Sequence, residues 1–358
     1  MIASIASVSS VAELRPPVLW VSPGKFRGVP VLSRDRVFAR TAAGDIVSVD
    51  ARSGVAQWRT PLTTSPGVVT GGRLAVADDV VMGGDDGLEG FGWMRGERLW
   101  RANIGEGTGA GIQLGGVGGD LVFAGSYVSR LFAIETATGK LRWAADLGFQ
   151  GEATVFAPRA DALGVVATFT SFRDRTGGVV AFDPAGRLMW QTSLGETTRP
   201  GVIGPVLLAG DLVLAVDRSG VIHALDRRSG SPSWTVSDAR ARAPVEDFRP
   251  LASGGGMLVA GSLTGELVAY DLATRRERWR AWPVQASIAF GLGLEQHTVW
   301  VPYVSGHVVG LDLATGRQRW RFGDAGEGFR WLPLVRGADV FLSGAAGGLV
   351  ALRTGGGN

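Results

Sequence analysis

Short apolar runs of strand length recur along the chain, each cut off by Gly, Asp or Ser. Near the start they read Gly28-Val-Pro-Val-Leu32, Arg36-Val-Phe-Ala-Arg40, Asp45-Ile-Val-Ser-Val49 and Val55-Ala-Gln-Trp-Arg59. The same order returns far downstream as Ile288-Ala-Phe-Gly-Leu292, Thr298-Val-Trp-Val-Pro302, His307-Val-Val-Gly-Leu311 and Arg317-Gln-Arg-Trp320. Few segments sustain a helical period. The fourth run of a set ends on tryptophan and follows an acid–x–x–Thr–Gly turn. The pattern is clearest in Ala269-Tyr-Asp-Leu-Ala-Thr-Arg-Arg-Glu-Arg-Trp279, Gly310-Leu-Asp-Leu-Ala-Thr-Gly-Arg-Gln-Arg-Trp320 and Ala133-Ile-Glu-Thr-Ala-Thr-Gly-Lys-Leu-Arg-Trp143. Weaker copies end at Trp58, Trp100, Trp190 and Trp234, and Trp20 stands near the start without the rest of its motif. Successive intervals between these tryptophans are 38, 42, 43, 47, 44, 45 and 41 residues. A period of this length, with four apolar runs per unit, predicts one four-stranded blade per repeat.

After Trp320 the chain supplies only three further runs, Arg330–Val335, Asp339–Leu342 and Gly348–Leu352. The segment Val18–Val21, carrying Trp20, provides the missing fourth strand, so the two ends close the ring and leave no unpaired sheet edge. The expectation is an all-β fold: an eight-bladed β-propeller with four antiparallel strands per blade. It occupies residues 17–358 as one domain, after an N-terminal extension over residues 1–16. A chain of 358 residues would otherwise suggest several domains, but one blade cannot bury both its faces and needs neighbours. The motif chemistry is structural: the acid accepts turn N–H groups, and the glycine after Thr or Ser permits positive φ. Trp20, Trp58, Trp100, Trp143, Trp190, Trp234, Trp279 and Trp320 are therefore expected between blades, each burying roughly 200 Å².

Composition agrees, with 45% hydrophobic residues, 55 Gly and 16 Pro for many short strands and tight turns. The absence of cysteine rules out disulfides, thiolate metal sites, a cysteine nucleophile and a cysteine-borne lipid anchor within this chain. Net charge is only +3, and Lys25 and Lys140 are the only lysines. Arginines flank the motif tryptophans at Arg59, Arg98, Arg101, Arg142, Arg278, Arg280, Arg319 and Arg321. They are placed to guard outer strands against edge-to-edge pairing. Spread around the rim, they make no nucleic-acid patch. No run approaches the 18 apolar residues of a membrane span. Residues 1–12 carry no basic residue and do not read as a signal peptide.

The pattern Ala-x-Asp-x-x-Thr-Gly-x-x-x-Trp resembles the tryptophan-docking repeat of the PQQ-like propellers, across essentially the whole chain. Gly92 replaces the acid in repeat two, repeat four is one residue short at Asp183-Pro-Ala-Gly186, and Arg353 replaces the acid in repeat eight. The resemblance implies one of two functions. Quinoprotein dehydrogenases of the family are much longer and hold the quinone against a disulfide of adjacent cysteines, with a calcium ion on Glu, Asn and Asp. Here there is no cysteine, and Asn103 and Asn358 are the only asparagines. No cofactor, metal ligand or catalytic residue is therefore assigned. BamB-type scaffolds match in size and bind a barrel-assembly partner through loops feeding two consecutive blades. Ser193-Leu194-Gly195-Glu196-Thr-Thr-Arg199 resembles one of those loops without its Arg after Leu, and Glu246-Asp247-Phe248-Arg249 resembles the other.

Lys25-Phe26-Arg27 and Glu327-Gly-Phe329-Arg330-Trp331 also enter inner strands, and the recurring acid, Phe and Arg residues suggest a partner-binding rim, since aromatic and Arg residues dominate hot spots. The alternative is a ring of loop anchors and salt bridges. Asp78, Asp79, Asp85, Asp86 and Glu89 lack calcium-loop spacing and read as a solvated acidic turn. His223, His297 and His307 lie in different repeats without metal spacing. Gly105–Gly111 precedes a strand and lacks the phosphate-loop Lys. Inserts at 144–176, with Phe149, Phe156, Phe172, Arg173 and Arg175, and at 235–248 are long enough to bind something. The function expected is a monomeric, non-enzymatic, protein-binding scaffold in outer-membrane protein assembly, in the periplasm or cell envelope. The alternatives are a PQQ-dependent oxidoreductase or a solute- or polymer-binding propeller, and a cytoplasmic location.

Overall fold

The computed structural model describes residues 15–63, 73–104, 111–149, 153–196, 199–202, 204–237, 251–289, 291–295, 297–324 and 326–354. Eight antiparallel four-stranded blades stand in a ring. Within a blade, chain order runs from the inner strand outwards, as in Phe26–Ser33, Arg36–Thr41, Asp45–Asp50 and Ala56–Pro61 of blade one. Blade eight takes its outer strand from the other end of the chain. Val18–Ser22 pairs with Gly348–Arg353, Trp20 opposite Ala351, so the expected closure is present. The proposed extension, residues 1–16, falls almost wholly outside the described residues.

Two inner strands differ from expectation. In blade seven the strand is Gly293–Glu295, while Ile288 makes only an isolated bridge to Tyr303. Gly291 turns the chain at φ 117° between them, so Ile288 and Leu292 are buried as anchors of a connection rather than as strand. In blade four the inner strand is broken into Ala153–Val155 and Arg159–Asp161, both paired with Gly164–Ser171. Pro158 lies at the break, where it has no N–H to give, and its carbonyl accepts the Gly116 N–H of blade three at 2.9 Å.

Middle strands are buried on both faces, because each blade is covered by its two neighbours; Gly164–Ser171 is buried at every position. Hydrophobic clusters span neighbouring blades rather than lying within one. Val37 and Val49 of blade one pack with Trp20, Phe341 and Ala351 of blade eight, for instance.

The tryptophan motif explains these seams. Opposite each motif tryptophan the third strand offers a small residue: Ser48, Gly90, Ala133, Ala181, Ala224, Ala269, Gly310 or Ala351. At Gly90 a β-carbon would lie 2.2 Å from Trp100. Just before the tryptophan in blades one to seven the register slips, as between Ser48 and Val49, which throws the indole towards the next blade. There its Nε1–H donates to the carbonyl of the residue after the turn acid. Trp20 reaches Ala51 at 3.0 Å, Trp100 reaches Thr136 at 3.0 Å, Trp190 reaches Arg227 at 3.2 Å and Trp279 reaches Leu313 at 2.7 Å. Trp58 and Trp143 do the same to Trp93 and Pro184. The ring lies over the turn glycine: a β-carbon at Gly54, Gly139 or Gly316 would fall 2.4–2.6 Å from it. The acid organises that turn. Ser53 holds the Asp50 carboxyl below its usual range by hydrogen bonding, and Ser229 does so for Asp226.

Candidate functional site

Strand direction sorts the loops into two faces. Turns joining first to second and third to fourth strands form a hairpin face. Turns joining second to third strands share the opposite, connection face with the crossings between blades. Backbone hydrogen bonds stitch that face together. Leu147 N–H donates to Ser129 O, Leu194 N–H to Gly177 O, Arg218 N–H to Gly201 O and Val304 N–H to Ser287 O.

The predicted site residues are divided by this arrangement. Leu194 is buried, and its carbonyl accepts the Gly201 N–H at 3.2 Å. Beyond it Gly195–Glu196 pairs with Arg199–Pro200 in a small ladder, so the loop is a folded-back ribbon on the connection face. Glu246, Asp247, Phe248 and Arg249 lie outside the described residues. Phe329 is 1% exposed, its ring tilted against Phe322 with centres 5.5 Å apart in the seam between blades seven and eight, and Phe26 is 3% exposed in the seam of blade one. These phenylalanines are loop anchors, because a ring just before an inner strand turns between blades. Arg330 is exposed beside Phe329. The Glu327 carboxyl accepts the Asp324 N–H at 3.2 Å, and its backbone carbonyl accepts the N–H of Ala346 and Gly347. Lys25 O likewise accepts the Ala42 N–H, while Arg27 points into the wall of blade two.

Of the acids of blade two, Asp78 and Asp79 do make an exposed turn, but Asp85 and Glu89 are drawn into the wall. Asp78 and Asp79 sit on the hairpin face, where Asp79 meets Arg34 at 2.8 Å. Asp85 is 1% exposed and accepts both guanidinium nitrogens of Arg40, itself 2% exposed, with Arg27 at 3.5 Å. Burial, then the Arg40 charge, lower the Arg27 pKa, and Asp85 raises it. Glu89 is wholly buried, salt-bridged to Arg98 at 2.7 Å and accepting the Thr63 N–H at 2.8 Å. These carboxylates couple blades; sequence position alone could not separate two faces only seven residues apart.

Exposed apolar groups gather where sequence reading gave little weight. Phe172, in the second-to-third turn of blade four, is 65% exposed, and the Arg218 guanidinium of blade five lies 5.0 Å from its ring centre. Leu263, Trp282 and Val304 are exposed on the same face in blades six and seven, with Trp282 Nε1–H donating to Thr264 O at 2.8 Å. The available signal was a tryptophan off the repeat period, three residues after Trp279.

Among the described residues no group of three or more His, Asp or Glu is placed to hold a metal ion. His223 Nε2 is 2.7 Å from Asp217 Oδ2, within one turn. A cleft of about 700 Å³ opens on the hairpin face between blades five and seven, lined by Asp211, Met257, Asp271, Arg278, His297 and Leu313. The Asp271 carboxyl there is committed to its own turn: the Thr274 N–H, then its hydroxyl, hold its pKa down. No described helix is long and apolar enough to cross a membrane.

A sequence model of the family described as outer membrane protein assembly factor BamB matches residues 18–93, 84–168 and 175–358. The outer membrane protein assembly factor BamB of Burkholderia pseudomallei is 27% identical over 275 residues, 72% of this chain and 66% of that protein. The match thus spans just under two thirds of the relative's length. The crystal structure of BamB from Moraxella catarrhalis superposes with a TM-score of 0.66 at 15% identity, covering 96% of this chain and 99% of that one. Quinohemoprotein alcohol dehydrogenase from Comamonas testosteroni gives 0.71 at 13% identity, covering 96% of this chain and 77% of that one. At such identities both structures speak for the ring alone.

Proposed function

Because the chain belongs to the family described as outer membrane protein assembly factor BamB, we propose that it is a non-enzymatic scaffold of the bacterial cell envelope in outer-membrane protein assembly. Its connection face over blades four and five docks a protein of the barrel-assembly machinery. The observation that carries this reading is the exposed Phe172 ring with Arg218 over it, beside the Leu194 ribbon. Aromatic and arginine side chains held together on a rigid ring present apolar area and forked donors with little conformational entropy to lose. The exposed Leu263, Trp282 and Val304 extend the face into blades six and seven. Glu246, Asp247, Phe248, Arg249 and Arg330 complete the partner-binding set, with Glu196 and Arg199 on the ribbon.

The test is a cross-linked pull-down of tagged protein from its native host. Wild type is expected to capture an outer-membrane barrel-assembly protein, and a Phe172→Ala/Arg218→Glu variant to capture at least about tenfold less, the loss typical of one or two hot-spot side chains. Charge reversal at Glu246, Asp247 and Arg249 is expected to do likewise, with unchanged melting in both cases. Capture of cytosolic proteins alone would refute the envelope reading, and undiminished capture by the variants would refute the face. Added PQQ with calcium is expected to give no dye reduction with alcohols or sugars; turnover would restore the oxidoreductase.

A further inference from the structure

Arg73 and Arg159 stand on the inner wall of the ring without a counter-charge among the described residues. Arg73 directly precedes Leu74–Ala77, the inner strand of blade two, and Arg159 opens the second half of the broken inner strand of blade four. Between them runs the inner strand of blade three, Ile112–Gly118, which touches both. That strand carries Gly115, Gly116 and Gly118, and its one long polar side chain, Gln113, gives its Oε1 to the Ala157 N–H at 3.3 Å. Its glycines are needed for close packing, since a β-carbon at Gly115 would lie 2.4 Å from Pro158. The last rungs before the hairpin turns are Ala77 opposite Val80 and Asp161 opposite Gly164. Counted from these, Arg159 stands two residues from its turn and Arg73 four, an axial offset of roughly 6.6 Å along the strand direction.

Other buried arginines of this ring are neutralised: Arg40 by Asp85 and Arg227 by Asp161, each through two guanidinium nitrogens. Arg73 and Arg159 are half-buried, and among the described residues neither has a hydrogen-bond or ion-pair partner. They do sense each other: burial, then the Arg159 charge, pull Arg73 down to about 10, and burial lowers Arg159. Two desolvated like charges are unfavourable unless something negative lies with them. Guanidinium forks match the oxygens of phosphates and carboxylates, and two of them match a ligand with at least two negative charges.

We propose that Arg73 and Arg159 form a binding site in the central channel for a small polyvalent oxyanion, a phosphate ester or a polycarboxylate, held between the inner strands of blades two and four. The site is independent of the face proposed for protein docking.

The test uses the full chain at constant ionic strength set with chloride, titrated with pyrophosphate or with citrate and followed by thermal unfolding and calorimetry. A saturable rise in Tm is expected in wild type, with Kd weakened about tenfold or more in Arg73→Gln and in Arg159→Gln, as for loss of a charged hydrogen-bond donor. Without polyanion, Arg73→Gln is expected to melt above wild type, because the repulsion is gone. Arg73→Lys keeps the charge and loses the fork, so it should bind more weakly without that gain in Tm. A response to pyrophosphate alone assigns a phosphate ligand, and one to citrate alone a polycarboxylate. The proposal is overturned if wild type shows no saturable response, or if both Gln variants respond as wild type does. Should Arg73→Gln fail to fold, Arg159→Gln decides alone.

Discussion

The hairpin face and the connection face of this ring are built by different rules. On the hairpin face one turn recurs, most often with an acid, a left-handed glycine and an incoming indole, so most seams repeat their neighbours, with departures at Gly92 and Arg275. On the connection face several second-to-third turns share a cap, the Thr41, Ser126, Asp217 or Ser262 side-chain oxygen accepting the N–H four residues on, but the groups set around them differ from blade to blade. Asp85 gathers Arg40 and Arg27, Leu194 carries a ribbon, and Phe172 stands in solvent under Arg218. The first face holds the blades together; the second is free to vary because the first does so. A scaffold needs both, a rigid ring and a surface the ring does not constrain.

If the contrast is right, damage should differ in kind between the two faces. The largest loss is expected at Asp85, a connection-face carboxylate drawn wholly into the wall against a buried arginine. Asp85→Ala leaves Arg40 buried without its acid, and breaking a buried pair in this way costs about 3–5 kcal/mol, with Arg27 pushing it to the upper end. Denaturant unfolding reads it directly, and a loss below about 1 kcal/mol would show that water relieves the pair. Next comes the seam. Trp190→Ala removes a docked indole and is expected to cost about 3–4 kcal/mol. Trp234→Ala should cost about half as much. Trp234 is only partly buried, and its Nε1 makes no hydrogen bond to the next blade's turn among the described residues. Equal losses would mean the indole hydrogen bond and the glycine beneath it add nothing.

The same division decides how much was legible in the sequence. The eight blades and the split closure at Trp20 follow from a period and from turn chemistry, both local, and the structure contains them. The inner strand of blade seven was misjudged because burial is not pairing. Ile288 and Leu292 are apolar enough for a strand, yet Gly291 bends the chain between them. Asp85 and Glu89 of blade two were misjudged for a related reason. Asp79 and Asp85 are close in sequence, but one strand carries the chain from one face to the other between them. Phe26 and Phe329 looked like rim residues beside their charges; only the packing of the seams shows that they are anchors. The Arg73–Arg159 pair has no signature at all, since 86 residues separate two ordinary arginines until the ring brings their strands together.

The smallest expected effect sharpens the comparison most, because it tests one seam against its own repeats. In the turn of blade six the left-handed position, glycine elsewhere, is Arg275 at φ 62°, against 69° for Gly316 and 70° for Gly139. A side chain there is strained by roughly 1–2 kcal/mol. It also places a β-carbon where the neighbouring turns hold an indole: at Gly316 such an atom would lie 2.6 Å from Trp279. Trp234 faces that turn, packs in the same cluster as Leu272, and among the described residues makes no hydrogen bond of the kind Trp279 makes to Leu313. Arg275→Gly should therefore relieve the backbone and let Trp234 settle onto the Leu272 carbonyl. Against this stands the greater freedom of glycine in the unfolded chain, so the expected net gain is about 1 kcal/mol. Denaturant unfolding of Arg275→Gly, with and without Trp234→Ala, separates the parts. If docking contributes, the gain shrinks when the indole is absent; if strain alone matters, it is the same in both backgrounds. A loss of stability on substitution would show instead that the Arg275 side chain makes a favourable contact of its own.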